Sequence, residues 1–208
     1  MLQLKSIHPE TFALLKELAA KKDLDCFALA GGTALALQLG HRISIDLDFF
    51  TSKKFEGRGL SEILAENFEL RDCSTGLNSL SCYISYQQRS AVKTDFIRHN
   101  YPLLKPLITS EGIRIFSLED IAAMKLNAVT NRGAKKDFYD IHALFNIFSL
   151  KELLGFFEAK YRNMNNFTVV KSLTYFDDAD MEPAPVSLTK ISWEKIKADI
   201  IATIRDFI

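Results

Sequence analysis

Much of what would mark a special class of protein is missing from this chain of 208 residues. It holds three cysteines, Cys26, Cys73 and Cys82, and none has the paired spacing of a zinc site or redox motif. That argues against a disulfide scaffold or structural zinc, and predicts buried, reduced thiols in apolar or strand-like settings. Net charge is also absent: 26 Lys+Arg balance 26 Asp+Glu, so no global field recruits nucleic acid and any basic surface must be local. No apolar run approaches the roughly 20 residues that span a bilayer. The start, Met-Leu-Gln-Leu-Lys-Ser, has no apolar signal core. The expectation is a cytoplasmic protein with no membrane partner.

What is present fits an ordinary globular protein, 48% hydrophobic and 25% charged, large enough for one catalytic domain and a smaller appended one. Local charge is uneven. From Lys93 to Lys136 eight basic residues stand against four acidic ones, a net of +4, which makes this segment the best candidate for an anion-binding wall.

Periodicity divides the chain near residue 116. Residues 9–22 form a predicted amphipathic helix opened by Pro9, with Phe12, Leu15, Leu18 and Ala19 on one side. A buried strand follows over 26–30, a short helix over 34–39, a strand over 43–50 and a helix over 60–67 with Ile63 and Leu64 inward. Apolar and polar residues then alternate over 68–73, 81–87 and 92–98, with turns at 76–78 and 88–90, predicting an antiparallel meander. Residues 113–116 add a short edge strand. Beyond them the pattern turns helical: Ser117 caps a helix that ends at Asn131-Arg132-Gly133. Further helices run over about 135–148, with Phe138, Ile141, Leu144, Phe145 and Phe148 buried, and over 150–161. The acidic, proline-bearing 176–187 reads as a loop, and Trp193, Ile196, Ile200, Ile204 and Phe207 make a closing amphipathic helix.

The chemistry concentrates in Ala30-Gly31-Gly32-Thr33-Ala34 and Ile43-Ser44-Ile45-Asp46-Leu47-Asp48-Phe49. On a strand, residues i and i+2 share a face, so Asp46 and Asp48 can converge on one cation while Ile45, Leu47 and Phe49 face the core. Mg²⁺ suits such a pair, because it takes one or two carboxylates plus substrate phosphates. Gly31 and Gly32 allow close backbone approach, and Thr33 at a helix start offers N–H groups and a hydroxyl to a phosphate. Singly, D-x-D also fits two solvated aspartates, and Gly-Gly-Thr a tight turn with a cap. Joined as strand, turn, helix and strand, they describe a nucleotide site.

A metal pair calls for a third carboxylate. Asp95 stands in an otherwise apolar strand, where a bare carboxylate needs a cation or a solvated face. Positive charge against a triphosphate is the other requirement. Lys125 is the lead candidate, its stem flanked by apolar residues that aim the ammonium; an exposed helix lysine is the alternative. His41, Arg42 and Ser44 are in position to touch phosphate or to form a solvated turn. Asp137 and Asp140 share a helix face, where Asp137 either complements the helix dipole or pairs with Lys125 or Arg132. His142 reads as structural.

Gly-Gly-Thr through Asp46-Leu-Asp48, Lys93-Thr-Asp95, Asp120-x4-Lys125 and Lys136-Asp137-Phe138-Tyr139-Asp140 together resemble the AbiEii/AbiGii toxin family of nucleotidyltransferase-like proteins, over roughly residues 25–145. The resemblance implies an α+β fold: a polymerase-β-type core over 1–116, a mixed twisted sheet with flanking helices, then a helical region over 117–208 that completes the cleft. It implies Mg²⁺ and an NTP, an RNA acceptor (tRNA 3′ ends in some members) or a protein hydroxyl, and a cognate antitoxin. Gly32 and Thr33 then match the phosphate-gripping signature, and Asp46 and Asp48 the metal pair. Lys93 and Asp95 match the second motif, and Lys125 and Asp137 the later basic and acidic members. Thr33 stands where serine is usual and Lys136 where arginine is common, which keeps charge but loses a bidentate fork. A non-catalytic nucleotide or RNA sensor, or a phosphotransferase, would share these residues.

Overall fold

The computed structural model describes residues 1–162 and 164–207 and divides the chain into two compact units. The first comprises residues 1–38, 44–101 and 107–116; the second gathers 39–43, 102–106 and the chain from 117 onward.

In the first unit, α1 (Pro9–Ala19) opens with Pro9 in its first turn, and His8 caps it by accepting from the Glu10 amide. It buries Leu14, Leu15 and Leu18 and stops before Lys21, short of the predicted residue 22. β1 (Ala28–Ala30) passes straight into α2 (Gly31–Leu39), which begins three residues earlier than its apolar pattern suggests. β2 (Leu47–Thr51), α3 (Gly57–Ala65), β3 (Glu69–Gly76), β4 (Ser79–Ser85), β5 (Val92–Arg98), β6 (Ile108–Ser110) and β7 (Ile113–Ile115) complete the unit. The strands form one sheet in the order β3-β4-β5-β2-β1-β7-β6. β3, β4 and β5 are the predicted antiparallel meander, and β5 then runs parallel to β2. Residues 113–115 are not the edge: β7 pairs parallel with β1 and antiparallel with β6, which takes the outer position.

One sheet face carries the core. Phe27, Phe49 and Phe96 meet there, Phe49 stacked on Phe96 and Phe27 edge-on to it, both at 5.2 Å between ring centroids. Each such buried ring contributes on the order of 1.5–3 kcal/mol. Two predicted inward residues are turned out. Ile45 is 66% exposed because β2 starts only at Leu47, so strand alternation does not reach it. Ile63 is exposed because α3 buries Leu60 and Leu64, four apart, and Ile63 lies off that stripe. Of the thiols only Cys82 is buried, and desolvation first and Cys73 second push it up to about 12. Cys73 is exposed, on the outermost strand.

The second unit is helical. Ser117 caps α4 (Leu118–Asn131) by accepting from the Asp120 amide, and Gly133, at φ +55°, follows its end. α5 (Lys135–Phe145) buries Phe138, Ile141 and Leu144; Phe145, its last residue, and Phe148, beyond its end, are only half-buried. α6 (Leu150–Lys160) starts with a reciprocal Ser149–Glu152 capping box. α7 (Asn166–Leu173) packs on α4, and α8 (Asp177–Asp180) lies inside the segment predicted as loop. α9 (Trp193–Arg205) buries Ile196, Ile200 and Ile204 at four-residue spacing and leaves Phe207 exposed. A fully buried pair, Lys160 to Asp120 at 2.7 Å, also fixes residues 102–106: Lys160 donates to the Pro102 carbonyl, and Asp120 accepts from the Leu104 and Lys105 amides.

Candidate active site

The parallel pairing of β2 and β5 sets Asp48 directly beside Asp95. Their strand neighbours Leu47, Phe49, Thr94 and Phe96 are buried, so by alternation both aspartates point to the opposite sheet face, where both are half-buried. Adjacent strands lie about 4.8 Å apart, so two like charges face each other at close range. Such a pair stores repulsion that a cation relieves. Lys93 supplies part of that relief: its Nζ lies 3.5 Å from Asp95 Oδ2, and Asp95 first, with Asp46 and Asp48 after it, holds the ammonium above its ordinary pKa.

Gly31 closes the site from above. Its φ of +66° is in the left-handed region, and a Cβ placed there would come 2.1 Å from Asp48 Oδ2. Only glycine lets the first turn of α2 lie this close to the carboxylate. Gly32, half-buried, follows it in the same turn. Thr33 is buried, and its hydroxyl is 2.8 Å from Ser44 Oγ and donates to the Asp46 carbonyl. Thr33 and Ser44 thus bind each other and the backbone leading into β2. Asp46 lies one residue before that strand, with its carbonyl committed to Thr33. Among the described residues no three His, Cys, Asp or Glu side chains form a ready-made metal cage, so Asp46, Asp48 and Asp95 are neighbours and not a closed ligand set.

The remaining predicted residues meet in the second unit, in a buried ion network. Arg42 clamps Asp140 with Nε at 2.7 Å and Nη2 at 2.9 Å, His41 Nε2 is 2.7 Å from the same carboxylate, and Lys125 Nζ is 2.6 Å away. Lys125 also lies 3.0 Å from Asp137, which Arg132 holds in a fork of 2.8 and 3.0 Å. Burial alone would raise both carboxyls; Lys125 and Arg42 outweigh it and hold Asp140 well below the usual range, and Lys125 and Arg132 hold Asp137 down. Burial likewise opposes the charge on Lys125, but Asp140 and Asp137 prevail and raise it. Lys125 is therefore a counter-ion to two carboxylates and not an open ammonium. Lys136 is exposed, and His142 bonds Asp199 at 2.9 Å, a structural role.

Asp140 is the residue that sequence reasoning undervalues. Its three-residue spacing from Asp137 is the visible signal, but its partners Arg42 and His41 lie 98 and 99 positions away.

Across known proteins, the family model described as nucleotidyl transferase AbiEii toxin, type IV toxin–antitoxin system, matches residues 13–207. The chain belongs to that family. As an AbiEii-family protein it is a nucleotidyltransferase and a toxin of the type IV class. Protein aq_aa25 of Aquifex aeolicus (strain VF5) is 36% identical over 183 residues, spanning 82% of this chain and 86% of its own. Solved structures with the same fold include JHP933 of Helicobacter pylori, at TM-score 0.59 and 20% identity over 96% of this chain and 92% of its own. The MenT4 nucleotidyltransferase toxin of Mycobacterium tuberculosis H37Rv matches at TM-score 0.60 and 15% identity, over 96% of this chain and 86% of that one. The α+β class read from the sequence is thus correct. No described helix is long and apolar enough to cross a membrane.

Proposed function

We propose that this AbiEii-family chain transfers a nucleotide from an NTP to the 3′ hydroxyl of an RNA, with Mg²⁺ as cofactor, and that a cognate antitoxin opposes it in the cell. The observation that carries the reading is the Asp48–Asp95 pair, in register on parallel strands, with Asp48 pressed against the backbone of Gly31. Hard carboxylate oxygens at close range are the donor set Mg²⁺ prefers, and the lack of a full protein cage suits an ion that takes its other oxygens from phosphates. Asp48 and Asp95 would hold the metal, with Asp46 beside them; bound there, Mg²⁺ neutralises charge on the triphosphate and polarises the α-phosphorus.

The chain's own groups supply the rest. The first turn of α2, with Gly31 and Gly32 bare of side chains, presents backbone N–H groups to the β- and γ-phosphates. Thr33 and Ser44 hold that turn against the start of β2 and position it. Asp95 takes the proton of the attacking hydroxyl as its oxygen bonds the α-phosphorus, and the bond to the leaving pyrophosphate breaks. Lys93, whose Nζ lies 3.5 Å from Asp95 Oδ2, orients that carboxylate.

The test is incubation with Mg²⁺, each labelled NTP and total RNA, following label in RNA and release of pyrophosphate. Transfer that needs Mg²⁺ and disappears in Asp48→Asn and Asp95→Asn is expected. Wild-type protein that labels no RNA above those variants, with every NTP, would overturn the reading.

A further inference from the structure

Beyond the carboxylates the same sheet face continues outward as an uncovered surface. Register places Arg71 opposite Tyr83 and Tyr83 opposite Lys93, so the three form one row across β3, β4 and β5. All three are exposed, Tyr83 by 42%, while the intervening Leu80, Cys82, Ile84, Val92 and Thr94 fill the core face. The next row on this face is Ser81, Asp95 and Asp48. Two residues along a strand make a step of about 7 Å, so the aromatic ring flanked by two cations stands one pleat from Asp95.

We infer that the row Arg71–Tyr83–Lys93 is the acceptor platform, on which a single-stranded RNA end stacks one base on Tyr83 and sets its backbone phosphates against Arg71 and Lys93. The inference rests on the proposed RNA acceptor and names where that acceptor lies. An exposed aromatic between basic side chains is the chemistry that holds single-stranded nucleic acid without regard to sequence. The acidic neighbours leave donors available: Arg71 meets Glu69 only at 3.8 Å, an exposed pair that a phosphate can compete for, and exposed Lys93 has ammonium donors beyond the one facing Asp95 at 3.5 Å. Net charge on the chain is zero, so a local row of this kind must carry the attraction that a basic protein would spread over its whole surface.

The test uses 5′-fluorescein single-stranded RNA with a free 3′ hydroxyl, titrated against wild type, Tyr83→Ala, Tyr83→Phe and Arg71→Ala. Anisotropy and labelled-nucleotide transfer are read on the same samples, and thermal melts check that these exposed substitutions leave the fold intact. Tyr83→Ala should raise the RNA half-saturation roughly tenfold, the loss of one base–aromatic stack. Its KM for NTP should stay at the wild-type value. Tyr83→Phe should keep wild-type binding, and Arg71→Ala should weaken binding two- to threefold and lower the log–log salt slope by about one. Wild-type half-saturation in both Tyr83→Ala and Arg71→Ala would overturn the platform while leaving RNA transfer standing. Label appearing on protein and never on RNA would overturn both.

Discussion

Two sets of aspartates in this molecule are handled in opposite ways. Asp48 and Asp95 sit half-buried on a sheet face, side by side, with Lys93 Nζ 3.5 Å from Asp95 Oδ2. Asp137 and Asp140 are fully buried on α5 and saturated by Arg132, Lys125, Arg42 and His41. Carboxylates whose charge is already met at close range hold structure together. Carboxylates set side by side on a half-buried sheet face are suited to a cation and a substrate. The comparison separates what this fold uses its negative charge for, and substitution should separate it further.

The largest effects come from exchanging one residue in each set. Asp48→Asn should lower nucleotide transfer about 1,000-fold, as loss of a group acting on developing charge does, with unfolding unchanged within about 0.5 kcal/mol. Asp140→Asn should do the reverse: it takes from buried Arg42 the carboxylate it clamps and from Lys125 one of its two, and costs about 3–5 kcal/mol of stability. Urea melts and transfer rates on both variants give the four values, and a stable Asp140→Asn protein would break the distinction.

Gly31→Ala comes next. The new Cβ would meet Asp48 Oδ2 at 2.1 Å and stand on left-handed backbone, so Asp48 must move and the turn is strained by ~1–3 kcal/mol. Transfer should fall much more than that stability loss accounts for, measured at a temperature where the variant is fully folded.

How legible this was follows from the same residues. Asp95 announced itself as a charge inside an alternating apolar strand, and pairing with β2 puts that charge beside Asp48. Asp46 is legible as a carboxylate beside Asp48, but it lies one residue before the ladder with its carbonyl taken by Thr33, so strand alternation does not set where its side chain points. Arg42, Ser44 and Lys125 were legible as residue types but not as environments: each has its nearest charge or hydroxyl partner 11 to 98 positions away. β7 misled for a like reason, since parallel pairing with β1 joins segments more than 80 residues apart and leaves no local signal. Local periodicity carried the helices, whereas sheet order and ion pairing are long-range.

Acid should act on the buried set. Asp140 and Asp137 titrate lower in the folded chain than in the unfolded one, where the ordinary value is 3.8. Folding therefore releases protons; the contribution is complete above about pH 4 and is lost as pH falls further, through the depressed folded values. Urea midpoints measured from pH 6 down to 3 should fall at the acid end, and the Asp140→Asn variant should show a flatter fall than wild type.

The smallest effect lies at the rim of that network. Arg132 forks onto Asp137 but is 56% exposed, so water and salt screen its charge, and Lys125 remains on the same carboxylate when Arg132 is removed. Arg132→Gln should cost about 1 kcal/mol at low salt and less at 0.5 M, against the several kcal/mol of Asp140→Asn, which salt should hardly change. A loss as large as that of Asp140→Asn would mean that Asp137 depends on Arg132 and not on Lys125, and the ion network would then be two separate pairs instead of one hub.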